Sequence, residues 1–178
     1  FGHDQRVRVD ISHHFTPGSP VLQSLKSSNW KTRQDSLVAI DEIVVNTGSY
    51  IDGDVGPELV PALRARLGDS NRNLAVLAYT VTGHLVHAMG PGALPHAKSI
   101  VPIVLSSGCV DIKKNVRDSA MMCLDLWFQA LGMSPLLQYL GTPLASLNPG
   151  FRKDYLEWLV PRLRGEIGAY SSSGDDLS

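Results

Sequence analysis

The sequence predicts an all-α fold, an α-solenoid of about four antiparallel helix pairs, and three observations carry that prediction. One turn chemistry recurs as Ser28-Asn29-Trp30-Lys31-Thr32-Arg33, Asp69-Ser70-Asn71-Arg72-Asn73-Leu74, Asp111-Ile112-Lys113-Lys114-Asn115-Val116-Arg117 and Asn148-Pro149-Gly150-Phe151-Arg152-Lys153. Each version stands ahead of an apolar series of helical period. The spacing is regular, 42 residues from Asn29 to Asn71 and 44 from Asn71 to Asn115, which falls in the roughly 40–47-residue class of stacked two-helix repeats. Pro61 and Pro102 recur 41 residues apart, each inside the first helix of a pair, where the missing N–H bends the helix.

Taken in order, residues 1–15 mix charge, histidine and isolated apolar residues without period and read as a linker or an arm laid against the domain. A short first helix begins near Thr16 or Ser19, with Pro17 and Pro20 in or near its first turn and Leu22 and Leu25 inward. Its partner runs from Trp30 to about Thr47, capped by Asn29 and stopped by Gly48, with Leu37, Ile40 and Val44 on one face. The second pair spans Val55–Leu67 and Asn71–Met89, the latter carrying Leu74, Leu77, Ala78, Val81 and Leu85 as a wide apolar stripe before the Gly90-Pro91-Gly92 stop.

The third pair covers Leu94–Leu105 and Lys113–Leu131, with Val116, Ala120, Leu124, Trp127 and Leu131 inward and Gly132 as terminator. The fourth covers Pro135–Leu147 and Pro149–Leu163, with Phe151, Tyr155, Leu159 and Leu163 as its stripe and Leu156 expected to be buried beside them. The repeat domain therefore spans 16–165. Beyond it, 166–178 ends in Ser171-Ser172-Ser173-Gly174-Asp175-Asp176, a polar stretch with nothing to bury, and reads as a disordered tail.

The turns are notable for where their charge sits. Trp30, Lys31 and Arg33 fall in the first turn of a helix, where free N–H groups and the positive end of the macrodipole disfavour cations by ~0.3–1 kcal/mol each. Eight of the 16 Lys and Arg residues, Lys31, Arg33, Arg72, Lys113, Lys114, Arg117, Arg152 and Lys153, lie in or beside the four turns. With a net charge of −1 the chain is not a generally basic nucleic-acid binder, so attraction to an acidic partner must come from this local clustering. A single Trp beside the cations is also too little stacking surface for a nucleic-acid edge. Trp30 itself could fold back onto the core or face a partner; with Leu37 and Ile40 already supplying core positions, exposure is the stronger reading.

Other classes find no support. Cys109 and Cys123 stand at no metal-ligand spacing and form no disulfide framework, which predicts a reducing compartment. His84 and His87 lie three apart on one helix without a third ligand at a plausible offset. No apolar run is long enough for a membrane span, no phosphate-cradling glycine loop is present, and no nucleophile, base and orienter can be assembled. The expectation is a cytoplasmic binding module with no cofactor and no catalytic activity.

The repeat resembles the HEAT family, in which a proline bends the first helix and an Asp some eight residues later faces an Arg six further on; Pro61 with Asp69, and Pro102 with Asp111 and Arg117, match it. With the Asn-Trp-Lys-x-Arg turn the resemblance narrows to TOG domains, the tubulin-binding HEAT arrays of the ch-TOG and minispindles type of microtubule polymerase, and most of all to the fourth in such an array. Asp10-Ile11-Ser12, Ala88-Met89-Gly90-Pro91, Lys113-Lys114-Asn115-Val116-Arg117 and Asn148-Pro149-x-x-Arg152 extend it over residues 8–165. The resemblance implies αβ-tubulin as partner, mainly β-tubulin through the first turns, with neighbouring TOG domains in the same chain and a place on microtubules, spindle and spindle pole. It implies tubulin contact by Trp30, Lys31, Arg33, Arg72, Lys113, Lys114, Arg117, Arg152 and Lys153, although Arg33 and Arg117 read first as members of an internal Asp/Arg ladder. A structural HEAT scaffold that binds no tubulin is the competing expectation. TOG domains resemble a six-repeat paddle, whereas four repeats are legible here, so apolar surface on the last helix should be left uncovered.

Overall fold

The computed structural model describes residues 7–48 and 50–172, the last seven by backbone alone. Among these residues seven α-helices run in chain order: α1 Pro20–Leu25, α2 Trp30–Asn46, α3 Leu59–Leu67, α4 Arg72–Met89, α5 Leu94–Ile103, α6 Lys114–Leu131 and α7 Pro149–Ser172. They stack in two layers, as the repeat predicts. Helices α1, α3 and α5 form one, α2, α4 and α6 the other; α1 packs on α2 and α3 on α4, α6 packs on the turns that flank α5, and each helix lies against the equivalent helix of the next repeat. One continuous core lies between them, from Leu22 and Leu37 through Leu63, Val81 and Ile100 to Leu124 and Trp127.

The central contact is α4 on α6, and Gly83 explains how close it is. A Cβ there would come within 2.6 Å of Leu126 Cδ1 and 3.5 Å of Cys123 Cα, so glycine lets the two helices meet without displacing the end of the Leu126 side chain. Helices α4 and α6 end at Gly90 (φ 56°) and Gly132 (φ 74°), left-handed positions that release the chain from the helix.

Four departures from the sequence reading have local causes. Pro61 is the third residue of α3, within the first turn, where its missing N–H costs no internal bond; only Pro102 lies inside its helix. Behind Pro102, α5 gives way to a π-turn over Val104–Gly108, closed by Cys109 N–H donating to Val104 O at 2.9 Å. In place of a helix over Pro135–Leu147 stand two 3₁₀ turns, Ser134–Tyr139 and Thr142–Ala145, because Gly141 and Pro143 interrupt any longer ladder. Leu156, expected in the core, is 41% exposed, since these short turns leave that side of α7 without a full partner helix; Val160 beside it is also exposed.

The backbone of α7 continues to Ser172, past residue 165 where the apolar period stops, and residues 173–178 of the polar tail lie outside the described residues. At the other end residues 7–15 lie against the repeats. Ile11 and Phe15 are buried, Val9 makes an isolated parallel bridge to Ile51, and the Arg8 guanidinium donates to Ile51 O and Met89 O, both at 2.9 Å. Residues 1–6 lie outside the described residues. Cys109 and Cys123 are buried free thiols. His84 Nδ1 is 2.7 Å from Asp41 Oδ1, and no group of three or more His, Cys, Asp or Glu among the described residues could hold a metal ion.

Candidate binding edge

The four turns are built on one hydrogen-bond frame, and its parts come from equivalent positions. Two residues before each helix N-cap, the side chain of Ser27, Asp69, Asp111 or Ser146 accepts the backbone N–H of Asn29, Asn71, Lys113 or Asn148, at 2.8–3.3 Å. Asn29 and Asn71 in turn accept the N–H of Lys31 (2.9 Å) and Asn73 (3.1 Å), and Asn148 accepts that of Gly150 (2.9 Å). Lys113 has no side chain able to do this, so in the third turn Asp111 is the one side-chain cap.

An arginine then pins each turn from inside. Arg33 Nη1 donates to Ser27 O at 2.8 Å, Arg117 Nη1 to Asp111 O at 2.7 Å and Arg152 Nη1 to Ser146 O at 3.0 Å, always from six residues downstream. In the second turn that place is Ala75, and Arg72 reaches back to the equivalent Asp69 O at 3.0 Å. One backbone carbonyl is thus held by a guanidinium in every turn.

The same guanidinia join the turns to each other. Arg33 closes on the Asp69 carboxylate of the next repeat, with Nε to Oδ2 at 2.9 Å and Nη2 to Oδ1 at 3.1 Å, and Arg66 adds a contact at 2.8 Å. Arg72 pairs with Asp111, and Arg117 reaches Asp154 of α7 at 3.6 Å while lying over the Phe151 ring. The ladder therefore runs between repeats. The sequence pattern had Asp111 facing Arg117 within one repeat; in the structure Arg117 takes the Asp111 carbonyl and leaves its carboxylate to Arg72. Burial pushes the Asp69 carboxyl up, but the Arg33 and Asn71 hydrogen bonds and the Arg33 and Arg66 charges outweigh it and hold it below the ordinary carboxylate value.

This sorts the nine candidate residues. Arg33 is buried and Arg72, Arg117 and Arg152 are half-buried, and all four are engaged in the frame. Arg72 is the correction among them, because nothing in its spacing distinguished it from a solvated cation. Trp30, Lys31, Lys113, Lys114 and Lys153 face outward. Trp30 is 53% exposed, and with Gln34 it walls a cleft of about 560 Å³ whose other side is Asn71, Asn73, Leu74 and Leu77. Lys114 and Lys153 make exposed i,i+4 pairs with Asp118 and Glu157, contacts worth little in water. The sequence reading passed over the residues at the tips of the turns, Ile112 and Leu147 among them, though aligning the four turns on their N-caps would have set them side by side.

Fold and edge together define an α-solenoid of HEAT-type repeats with an outward-facing, basic row of turns. The chain is 37% identical over 159 residues to Protein MOR1 of Oryza sativa subsp. japonica, covering 88% of the chain, and 35% identical over 167 residues to Protein MOR1 of Arabidopsis thaliana, covering 92%. It is 28% identical over 176 residues to Protein mini spindles of Drosophila melanogaster. These relatives are proteins of the ch-TOG family, and the segment is homologous to part of them, spanning 8% of their length. No protein-family model matches it. Among solved structures, a chain described under microtubule plus end tracking by XMAP215, CLIP-170 and EB1 shares the fold with a TM-score of 0.73 at 18% identity, over 88% of this chain and 64% of that one.

Proposed function

We propose that this segment is a TOG domain, the domain proper being residues 16–165, that captures an αβ-tubulin dimer along its row of turns and so serves as one grip of a microtubule polymerase. The observation that carries the reading is Trp30, a large aromatic left 53% exposed at a helix N-terminus and set in a turn that Arg33 pins from behind. An aromatic on a rigid support loses little entropy on docking and supplies net affinity, while Lys31, Lys113, Lys114 and Lys153 speed and orient the encounter with an acidic surface. The first turns face β-tubulin in this reading. Neighbouring TOG domains of the full-length protein would raise the local tubulin concentration, and its place in the cell would be on microtubules, spindle and spindle pole.

The test is co-elution with purified αβ-tubulin on size exclusion, followed by a titration that gives Kd. A complex that weakens on Trp30→Ala supports the proposal. If the folded chain never co-elutes, the structural scaffold takes its place.

A further inference from the structure

Aligned on the carbonyl that each arginine pins, the residue that follows it is Ser28 in the first turn, Ser70 in the second, Ile112 in the third and Leu147 in the fourth. Ile112 is 89% exposed and Leu147 94%. Two aliphatic side chains thus stand bare at the outermost point of the edge, at positions that the first half of the edge fills with serine.

Nothing inside the molecule asks for them. The backbone on either side of Ile112 is held by Arg117, which donates to Asp111 O at 2.7 Å and Ile112 O at 2.9 Å, and by the Asp111 cap on Lys113 N–H at 2.8 Å. Around Leu147 the same work is done by Arg152 on Ser146 O at 3.0 Å and Ser146 Oγ on Asn148 N–H at 3.3 Å. The frame forms equally well around Ser28 and Ser70, so the aliphatic carbons contribute nothing to the turn itself. Their rigid mounting gives a partner apolar surface at little entropic cost.

The surroundings state the partner's chemistry. Lys113 and Lys114 follow Ile112, and Arg152 and Lys153 stand beyond Leu147, while Trp30, the exposed aromatic, is at the other end of the edge. A surface that met the tips would be acidic overall with small apolar recesses one repeat apart.

We infer that Ile112 and Leu147 are apolar anchors through which the third and fourth turns grip the tubulin dimer, as Trp30 does at the first. The inference rests on the tubulin reading above and extends it from a purely electrostatic second half to a mixed one, in which the lysines steer and the tips hold.

The test compares wild type, Ile112→Ser with Leu147→Ser, and Ile112→Leu with Leu147→Ile, each titrated against purified αβ-tubulin at several salt concentrations. Serine is the residue the first two turns carry at this point, so melting temperature and circular dichroism should be unchanged. The serine variant should bind at least about tenfold more weakly, the scale for withdrawing aliphatic side chains from an interface, with the salt dependence of wild type because no charge is removed. The Leu/Ile exchange should bind within about twofold of wild type. If wild type binds and the serine variant binds equally well, the tips are not anchors although the tubulin reading stands. If wild type does not bind, both fall. Loss of self-association in the serine variant with tubulin affinity unchanged would overturn the inference in favour of a second copy of the chain.

Discussion

Arg33 of α2 and Asp69, 36 residues further along the chain, form a two-point ion pair in which both side chains are buried. It ties the first turn to the second, and single ion pairs continue the ladder from Arg72 to Asp111 and from Arg117 to Asp154. The ladder sets the relative placement of the turns, so it also sets the spacing at which the edge can meet a partner.

Removing one side of the first rung should be costly. Asp69→Ala leaves Arg33, 8% exposed, without its carboxylate, and truncating one partner of a buried pair typically costs about 3–5 kcal/mol. Urea unfolding followed by circular dichroism should show a loss on this scale. A loss within about 0.5 kcal/mol, the range of an ordinary surface change, would mean that the ladder does not hold the repeats.

Acid should act through the same group. The Asp69 carboxyl is held below 3.8, its ordinary value. A carboxyl whose folded-state pKa lies below its unfolded one stabilises fully above the unfolded value and loses that contribution as pH falls through the folded one. Stability should therefore decline below 3.8, and Asp69→Asn should decline less steeply over that window.

Arg72 and Trp30 should separate cleanly. Arg72→Ala removes bonds to Asp69 O and the Asp111 carboxylate and should lower stability by about 1.5–3 kcal/mol, leaving tubulin affinity to follow only from the disturbed turn. Trp30→Ala should instead leave the melting temperature nearly unchanged and weaken binding by ~2 kcal/mol or more. A lowered melting temperature as the main effect of Trp30→Ala would mark it as a packing residue.

Lys113→Ala with Lys114→Ala removes two outward charges from a turn whose fold depends on Asp111 and Arg117. Stopped-flow association with tubulin should be slower and its salt dependence flatter than in wild type. An unchanged salt dependence would exclude this turn from the docking surface.

Gly108→Ala tests the packing behind the edge. A Cβ at Gly108 would lie 2.5 Å from Ala120 Cβ and 2.6 Å from Tyr79 Oη, so α6 and α4 would have to shift. A destabilisation of about 1–3 kcal/mol is expected by urea titration, as for other overpacked cores.

Much of this architecture is local in origin and was legible for that reason. Asn29 and Asn71 announce their helices because a capping amide acts on the residue two places on, and Leu37, Ile40 and Val44 announce a buried face because a helix repeats every 3.6 residues. Where local signals conflict, the reading failed: Leu136 and Leu140 have a helical spacing and are buried, yet Gly141 and Pro143 let the segment form only 3₁₀ turns.

The sequence by itself determined the first three helix pairs, the repeat length and the four places where cations gather, since each is written in residues a few positions apart. Tertiary structure alone decided which cations are held and which are free. Arg33, Arg72 and Arg117 meet carboxylates 36, 39 and 37 residues away, contacts that exist only once one repeat is stacked on the next. It also decided that Ile112 and Leu147, apolar in sequence, lie at the tips of turns with no neighbour above them. Burial is a property of what packs alongside, and linear spacing does not contain it.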